Sequence, residues 1–314
     1  MIPALKSRSA ASIAPYAREW LQSSPRARLL NVFPRACNLI DERGGVISLV
    51  VPGVGDGPFN LVLEGPGPDF TGLIHEGDAV AVYLEGLIVG ELVVNACRAR
   101  VWSARPDWEV LHAGCERIVS RIPLVSRWLL ERAPAGSLAE LLEKPGEASS
   151  AAGLDLPYAL NTGLVEAARL PAQQLTNGIV TGDLEGARQA ASSLAGLGSG
   201  LTPAGDDFLL GAVYALWILY PASKARSMVA TILAPAVSLT TSLSSAWLRA
   251  AARGEAGARW HDFFRALHLG APADLLLAAE TLLASGHTSG ADALAGFTAV
   301  CQSWENVRSP ACPV

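Results

Sequence analysis

The segment Gly196-Leu-Gly-Ser-Gly-Leu-Thr-Pro-Ala-Gly-Asp-Asp207 constrains the fold more than any other stretch of this chain. Its glycines alternate with small residues, which lets the backbone take positive φ and leaves the N–H groups uncovered. Thr202-Pro203 then reads as a helix start, with Thr202 as the N-cap and Pro203 at the first helical position, where its missing N–H would be unpaired anyway. Gly205 falls at the third helical position, Asp206 and Asp207 follow, and the apolar run Phe208 to Tyr220 carries the helix into a core. A glycine loop feeding a helix N terminus is a ready anion site, because N–H groups and the positive end of the helix dipole aim at one spot. Two carboxylates beside it suggest a Mg²⁺ accompanying a phosphate, or acid/base work. A purely structural alternative stands beside this: Gly196 as the C-cap of a preceding helix, and Asp in a first turn as favourable without any ligand.

The rest of the chain bounds what such a loop can serve. Hydrophobic residues make up 50% of the 314 positions and charged residues only 17%, a composition that buries a large core in one or two domains. A net charge of -5 with no basic run argues against a nucleic-acid partner. The most basic patch, Arg98 to Arg105, is broken by apolar residues and reads as one face of a strand. Cys37, Cys97, Cys115, Cys301 and Cys312 are scattered without a CxxC pair, which fits a reducing compartment and neither a zinc site nor a disulfide frame. No signal peptide is expected behind Met1, and Phe208 to Tyr220 is shorter than the ~20 residues a bilayer span needs. The expectation is a cytoplasmic protein with no membrane partner.

The pattern changes along the chain. Ala11 to Ser23 reads as a short helix. From Ala36 to about Val101 short β-rich runs follow, Val46 to Val51 and Phe59 to Leu63 among them, bounded by Gly and Pro. Ala79 to Leu84 and Leu87 to Val94 read as a hairpin around Glu85-Gly86. Gly53 to Gly57 has no helix behind it and reads as a surface turn. From Glu109 onward the spacing is helical, broken near Pro134-Ala135-Gly136, Pro145-Gly146 and Gly153 to Pro157, with Thr181 expected to cap a helix ending at Gly196. The fold class predicted is α+β: an N-terminal small antiparallel β-barrel or sandwich over residues 1–107, then a mostly α-helical domain over residues 108–314 that carries the glycine loop.

The loop design recurs. Gly290-x-Asp292-x-Leu294-x-Gly296 repeats the spacing of Gly205-x-Asp207-x-Leu209-x-Gly211, again where a glycine-bearing loop, Ser285-Gly-His-Thr-Ser-Gly290, enters an apolar helix. Two such helix starts converging on one pocket would join Gly198, Ser199, Gly200, Leu201, Thr202 and Gly205 from the first loop to Thr288, Ser289 and Gly290 from the second as substrate-binding residues. Asp206, Asp207, Asp292 and His287 are then the catalytic candidates, with Asp206 and Asp207 also the candidate Mg²⁺ ligands. His287 is the one histidine beside such a loop, placed to donate to a phosphate or carbonyl oxygen or to move a proton. Ser289 and Asp292 also make a capping-box-like pair, which is a structural role. Thr240 to Ser245 precedes a further helix; its hydroxyls cap that helix, or some of them, such as Ser244, bind substrate oxygens.

The blocks GxGxGLTPxGDD and GHTSGxDxLxG, with the Thr/Ser-rich helix start between them, resemble a bacterial family formerly of unknown function and related to the small subunit of oxamate carbamoyltransferase. The resemblance covers mainly residues 160–300 and rests on Gly198, Gly200, Thr202, Asp206, Asp207, His287, Ser289 and Asp292. It implies carbamoyl transfer between phosphate and oxamate, a small anionic metabolite as ligand, and other carbamoyltransferase subunits as partners. Two other functions fit the same loops: a Mg²⁺-dependent kinase or hydrolase handling a nucleotide or phosphate, and a metabolite-binding subunit without catalysis.

Overall fold

A computed structural model of the chain describes residues 5–23, 26–142 and 156–308, with side chains of 156–162 excepted. The chain divides into two compact units, residues 1–106 with 255–258, and residues 107–254 with 259–314.

The first unit is a nearly closed β-barrel followed in the chain by helices, as the α+β pattern predicts. Its strands are β1 (Lys6–Ile13), β2 (Ala27–Phe33), β3 (Ala36–Asp41), β4 (Val46–Val50), β5 (Asn60–Leu63), β6 (Val80–Tyr83), β7 (Gly86–Val89), β8 (Leu92–Asn95) and β9 (Arg100–Val101). The order is β2-β3-β4-β5-β1-β8-β7-β6, and a lone bridge between Arg28 and Ala79 brings the two edge strands towards each other. Alternate residues fill the interior: Cys37 and Leu39, Ile47 and Leu49, Leu61 and Leu63, Leu87 and Val89, Leu92 and Val94. Helix α1 (Pro15–Ser23) sends Ala17, Trp20 and Leu21, spaced as one helical face, into the same core.

Several details depart from the sequence pattern. The sheet is mixed, because β1 runs parallel to β8 and β9, and β4 parallel to β5. Ala11 to Ile13 belong to β1, so the first helix is shorter than expected; β1 and β2 lack the clean alternation that marks a half-buried strand, and β1 buries only Ala10, Ser12 and Ile13. Leu87 to Val94 is two strands, since Gly90 takes φ 54° and turns the chain between them. Of Arg98 to Arg105, only Arg100 and Val101 pair as a strand.

The second unit is helical: α2 (Trp108–Ala113), α3 (Cys115–Val119), α4 (Ile122–Arg132), α5 (Leu156–Thr181), α6 (Leu184–Leu194), α7 (Ala204–Leu219), α8 (Ala222–Ala236), α9 (Ser242–Ala252), α10 (Ala258–Leu269), α11 (Pro272–Leu283) and α12 (Ser289–Arg308). A 3₁₀ segment, Leu138–Leu142, follows the predicted break at Pro134 to Gly136. Pro145-Gly146 and Gly153 lie outside the described residues. Thr181 ends α5 rather than capping α6; the cap is Asp183, whose carboxylate accepts the Gly186 N–H. Helix α7 is the centre, buried along its whole length. On it and around it Trp108, Tyr214, Trp217, Trp260, Phe264 and Phe297 meet in stacked, tilted and edge-on pairs, and the Trp108 and Trp217 indoles donate to the Gly254 and Ala251 carbonyls.

Glycine decides how α7 meets α12. A Cβ at Gly211 would overlap the Ala293 carbonyl oxygen, and one at Gly296 would overlap that of Phe208. These contacts are reciprocal: each glycine seats on the backbone three positions past the first glycine of the repeated pattern on the partner helix. The repeated spacing is therefore a two-fold-like helix crossing at backbone contact.

Candidate functional site

Both loops end at this crossing, and both aspartates of the repeat sit at the fourth position of their helices, Asp207 on α7 and Asp292 on α12. Helix α7 begins one residue later than expected. Pro203 is its cap and makes no side-chain cap bond, Gly205 is the second helical residue, and Thr202 is free of capping duty. The Thr202 hydroxyl instead meets the Ser289 hydroxyl at 3.0 Å, linking the two loops. Both hydroxyls lie beside Asp207 and favour its charged form. Gly205 and Gly290 allow each helix start to press on the carbonyl of the helix before it, Leu194 for α7 and Leu282 for α12.

The three carboxyls have different partners. Asp206 accepts from the Gly196 N–H at 3.0 Å and from the Thr240 hydroxyl, so it braces the foot of the first loop. The Ser244 hydroxyl, close enough to favour the charged form of Asp206, makes no hydrogen bond of normal geometry. Asp292 accepts from the Leu138 N–H at 2.7 Å, and Thr288 favours its charged form. Asp207 and Asp292 each keep Oδ2 buried with no hydrogen-bond partner, as do the hydroxyls of Ser137 and Ser244.

Burial dominates the electrostatics, because a carboxylate loses its hydration there. It raises Asp206 against the bonds from Thr240 and Gly196. It raises Asp207 well above the ordinary range, helped by the charges of Asp292 and Asp206. Asp292 is pushed up to about 6, again chiefly by burial and against the Leu138 N–H. Asp207 and Asp292, far apart in sequence, are thus near enough to interact directly.

The remaining candidates occupy the rim. Gly198, Ser199, Gly200 and Leu201 are exposed, with Gly198 at φ 113° and Gly200 at φ 96°, a conformation that glycine adopts without strain. The Gly205 N–H is used by the Leu197 carbonyl, and those of Asp206 and Asp207 by Pro203, so these helical N–H groups are not free to meet an anion. Thr241 caps α9, accepting from the Ser244 N–H, while its hydroxyl donates to the Leu201 carbonyl and pins the loop. His287 is exposed on the second loop. Among the described residues no three His, Cys, Asp or Glu side chains come together so as to hold a metal ion. Asp206 and Asp207, the candidate Mg²⁺ ligands, turn to separate partners rather than to one shared point.

Two participants were missed by sequence reasoning. The Leu138 N–H reaches Asp292 from the first residue of the 3₁₀ segment, in a stretch that reads only as a helix break; the signal there was a lone Ser after Pro-Ala-Gly, too short to interpret. Arg259 donates to the Ser285 hydroxyl at 2.8 Å and to the Thr281 carbonyl, holding the base of the second loop. No helix among the described residues is long and apolar enough to cross a membrane.

No solved structure matches the chain. Two family models do. One, described as the AllH family N-terminal domain, spans residues 9–101, which is the barrel. The other, described as oxamate carbamoyltransferase subunit AllH, spans residues 194–301 and contains both loops and all three aspartates. The chain, from its barrel to its paired glycine loops, belongs to the AllH family of carbamoyltransferase subunits.

Proposed function

We propose that this chain serves as one subunit of a carbamoyltransferase complex, and that the cluster at the α7–α12 crossing binds a small anionic substrate of the oxamate and carbamoyl phosphate type. In such a transfer the amide nitrogen of oxamate attacks the carbamoyl carbon, the bond from that carbon to the phosphate oxygen breaks, and the amide proton departs with phosphate as the acceptor. The exposed Gly198 to Thr202 loop is the candidate phosphate cradle. His287 is the candidate donor to the reacting carbonyl, where charge builds in the tetrahedral transition state. The observation that carries the proposal is the meeting of Asp207 and Asp292 in one buried cluster within the segment matched by the carbamoyltransferase-subunit model.

The test is oxalurate formation from oxamate and carbamoyl phosphate by the complex assembled with its partner subunits. Asp207→Ala is expected to lower the rate by about 10²-fold or more, the usual scale for losing a positioned acid or base. A complex that assembles with Asp207→Ala and turns over at the original rate would refute the assignment.

A further inference from the structure

Five buried side-chain polar atoms among the described residues lack partners, and they are of two kinds. Asp207 Oδ2 and Asp292 Oδ2 accept hydrogen bonds when ionised, while the hydroxyls of Ser137, Ser244 and Thr298 both donate and accept. Asp207 is 7% exposed and Asp292 fully buried, so bulk solvent does not reach these carboxyls. None of the ion pairs among the described residues involves Asp206, Asp207 or Asp292. An unmet acceptor in such a place costs of order 1–3 kcal/mol, and a native fold that keeps one calls for a reason, a ligand or a reaction among them.

We infer that Asp207 Oδ2 and Asp292 Oδ2 together receive the –NH₂ of a primary amide or carbamoyl group, which fixes the direction in which the substrate enters. Against the ionised pair a phosphate or carboxylate would set acceptor against acceptor in a dry site, so the anionic end of the ligand points outward to the exposed loops. An –NH₂ group offers two N–H bonds in one plane, one for each of two acceptors presented from matching positions on α7 and α12. Entry requires the loops to part, and the Thr202–Ser289 hydroxyl contact is one of the ties between them.

The inference deepens the carbamoyl-transfer proposal and takes from it only the identity of the probe. Oxamate and oxalate share a carboxylate and differ in whether the second group is an amide or another carboxylate. Calorimetric titration of the full chain should show oxamate binding at least tenfold more tightly than oxalate. Asp207→Asn and Asp292→Asn each put an amide donor where the acceptor was, and each should narrow or reverse that preference, a change that lost packing alone would not produce. Should one variant fail to fold, the other variant and the wild-type comparison still decide.

Equal binding of oxamate and oxalate, or a preference untouched by both substitutions, would overturn the inference. So would stabilisation by Mg²⁺ or K⁺ alone that both variants abolish. Aspartate-dependent binding of urea by a chain whose assembled complex makes no oxalurate would sustain the amide site and sink the reaction.

Discussion

At the scale of single residues, Asp292 offers a clean test. Its carboxyl titrates near 6 in the folded chain against an ordinary value of 3.8, with burial as the main cause. The folded state therefore holds the proton more tightly, and the stability it contributes is complete below pH 3.8 and is lost as pH rises through about 6. The full span is of order 3 kcal/mol, since each tenfold gain in proton affinity is worth about 1.36 kcal/mol. Asp292→Asn keeps an oxygen for the Leu138 N–H and cannot ionise. Thermal unfolding of the variant and the wild type at pH 4.5 and pH 7 should show the variant gaining relative to the wild type at the higher pH. A difference in melting temperature that stays constant across this range would mean that Asp292 is ionised as easily folded as unfolded.

Among elements, the α7–α12 pair carries the site, because two helices at backbone contact hold their first turns in fixed relation. Gly211→Ala or Gly296→Ala would drive a methyl group into a carbonyl of the facing helix, with no flexible side chain to yield. Each should destabilise the chain by about 1–3 kcal/mol or more, the range for overpacking a core. Denaturant midpoints check this, and an unchanged midpoint for both would show that the helices separate freely. Gly200→Ala tests backbone conformation instead: open space surrounds it, but its φ of 96° makes any side chain there strained. The paired spacing Gly-x-Asp-x-Leu-x-Gly was legible in the sequence as a repeat. Its reciprocal packing was not, since spacing along one helix says nothing about which helix it faces.

For the whole molecule, charge points to assembly. The cluster at the crossing is made of carboxyls and hydroxyls, and the chain carries a net charge of -5. An anionic phosphate needs cations or oriented donors beyond those carboxyls, which fits a protein that works as part of a complex. The isolated chain should bind inorganic phosphate weakly and show no carbamoyl transfer, with turnover appearing when the partner subunits are added. Full activity from the isolated chain in a coupled phosphate assay would contradict this.

Period and punctuation alone determined the sequence of a β-rich front and helical remainder, the buried course of α7 and the two glycine-led helix starts, because these depend on residues close together in the chain. The cap positions shifted by a residue or two: Thr202 looked like a cap but was drawn to Ser289, and Thr181 yielded to Asp183. Strand β1 stayed hidden because its partners β5 and β8 lie far off in sequence, and β2, though it pairs locally with β3, lacks the alternation that marks a half-buried strand. Only the tertiary structure set Asp207 against Asp292, brought the Leu138 N–H to meet one of them, and left two buried oxygens without a partner. Contacts of that kind arise from packing between segments far apart in the chain, and hydrogen-bond demand becomes visible only once water has been excluded.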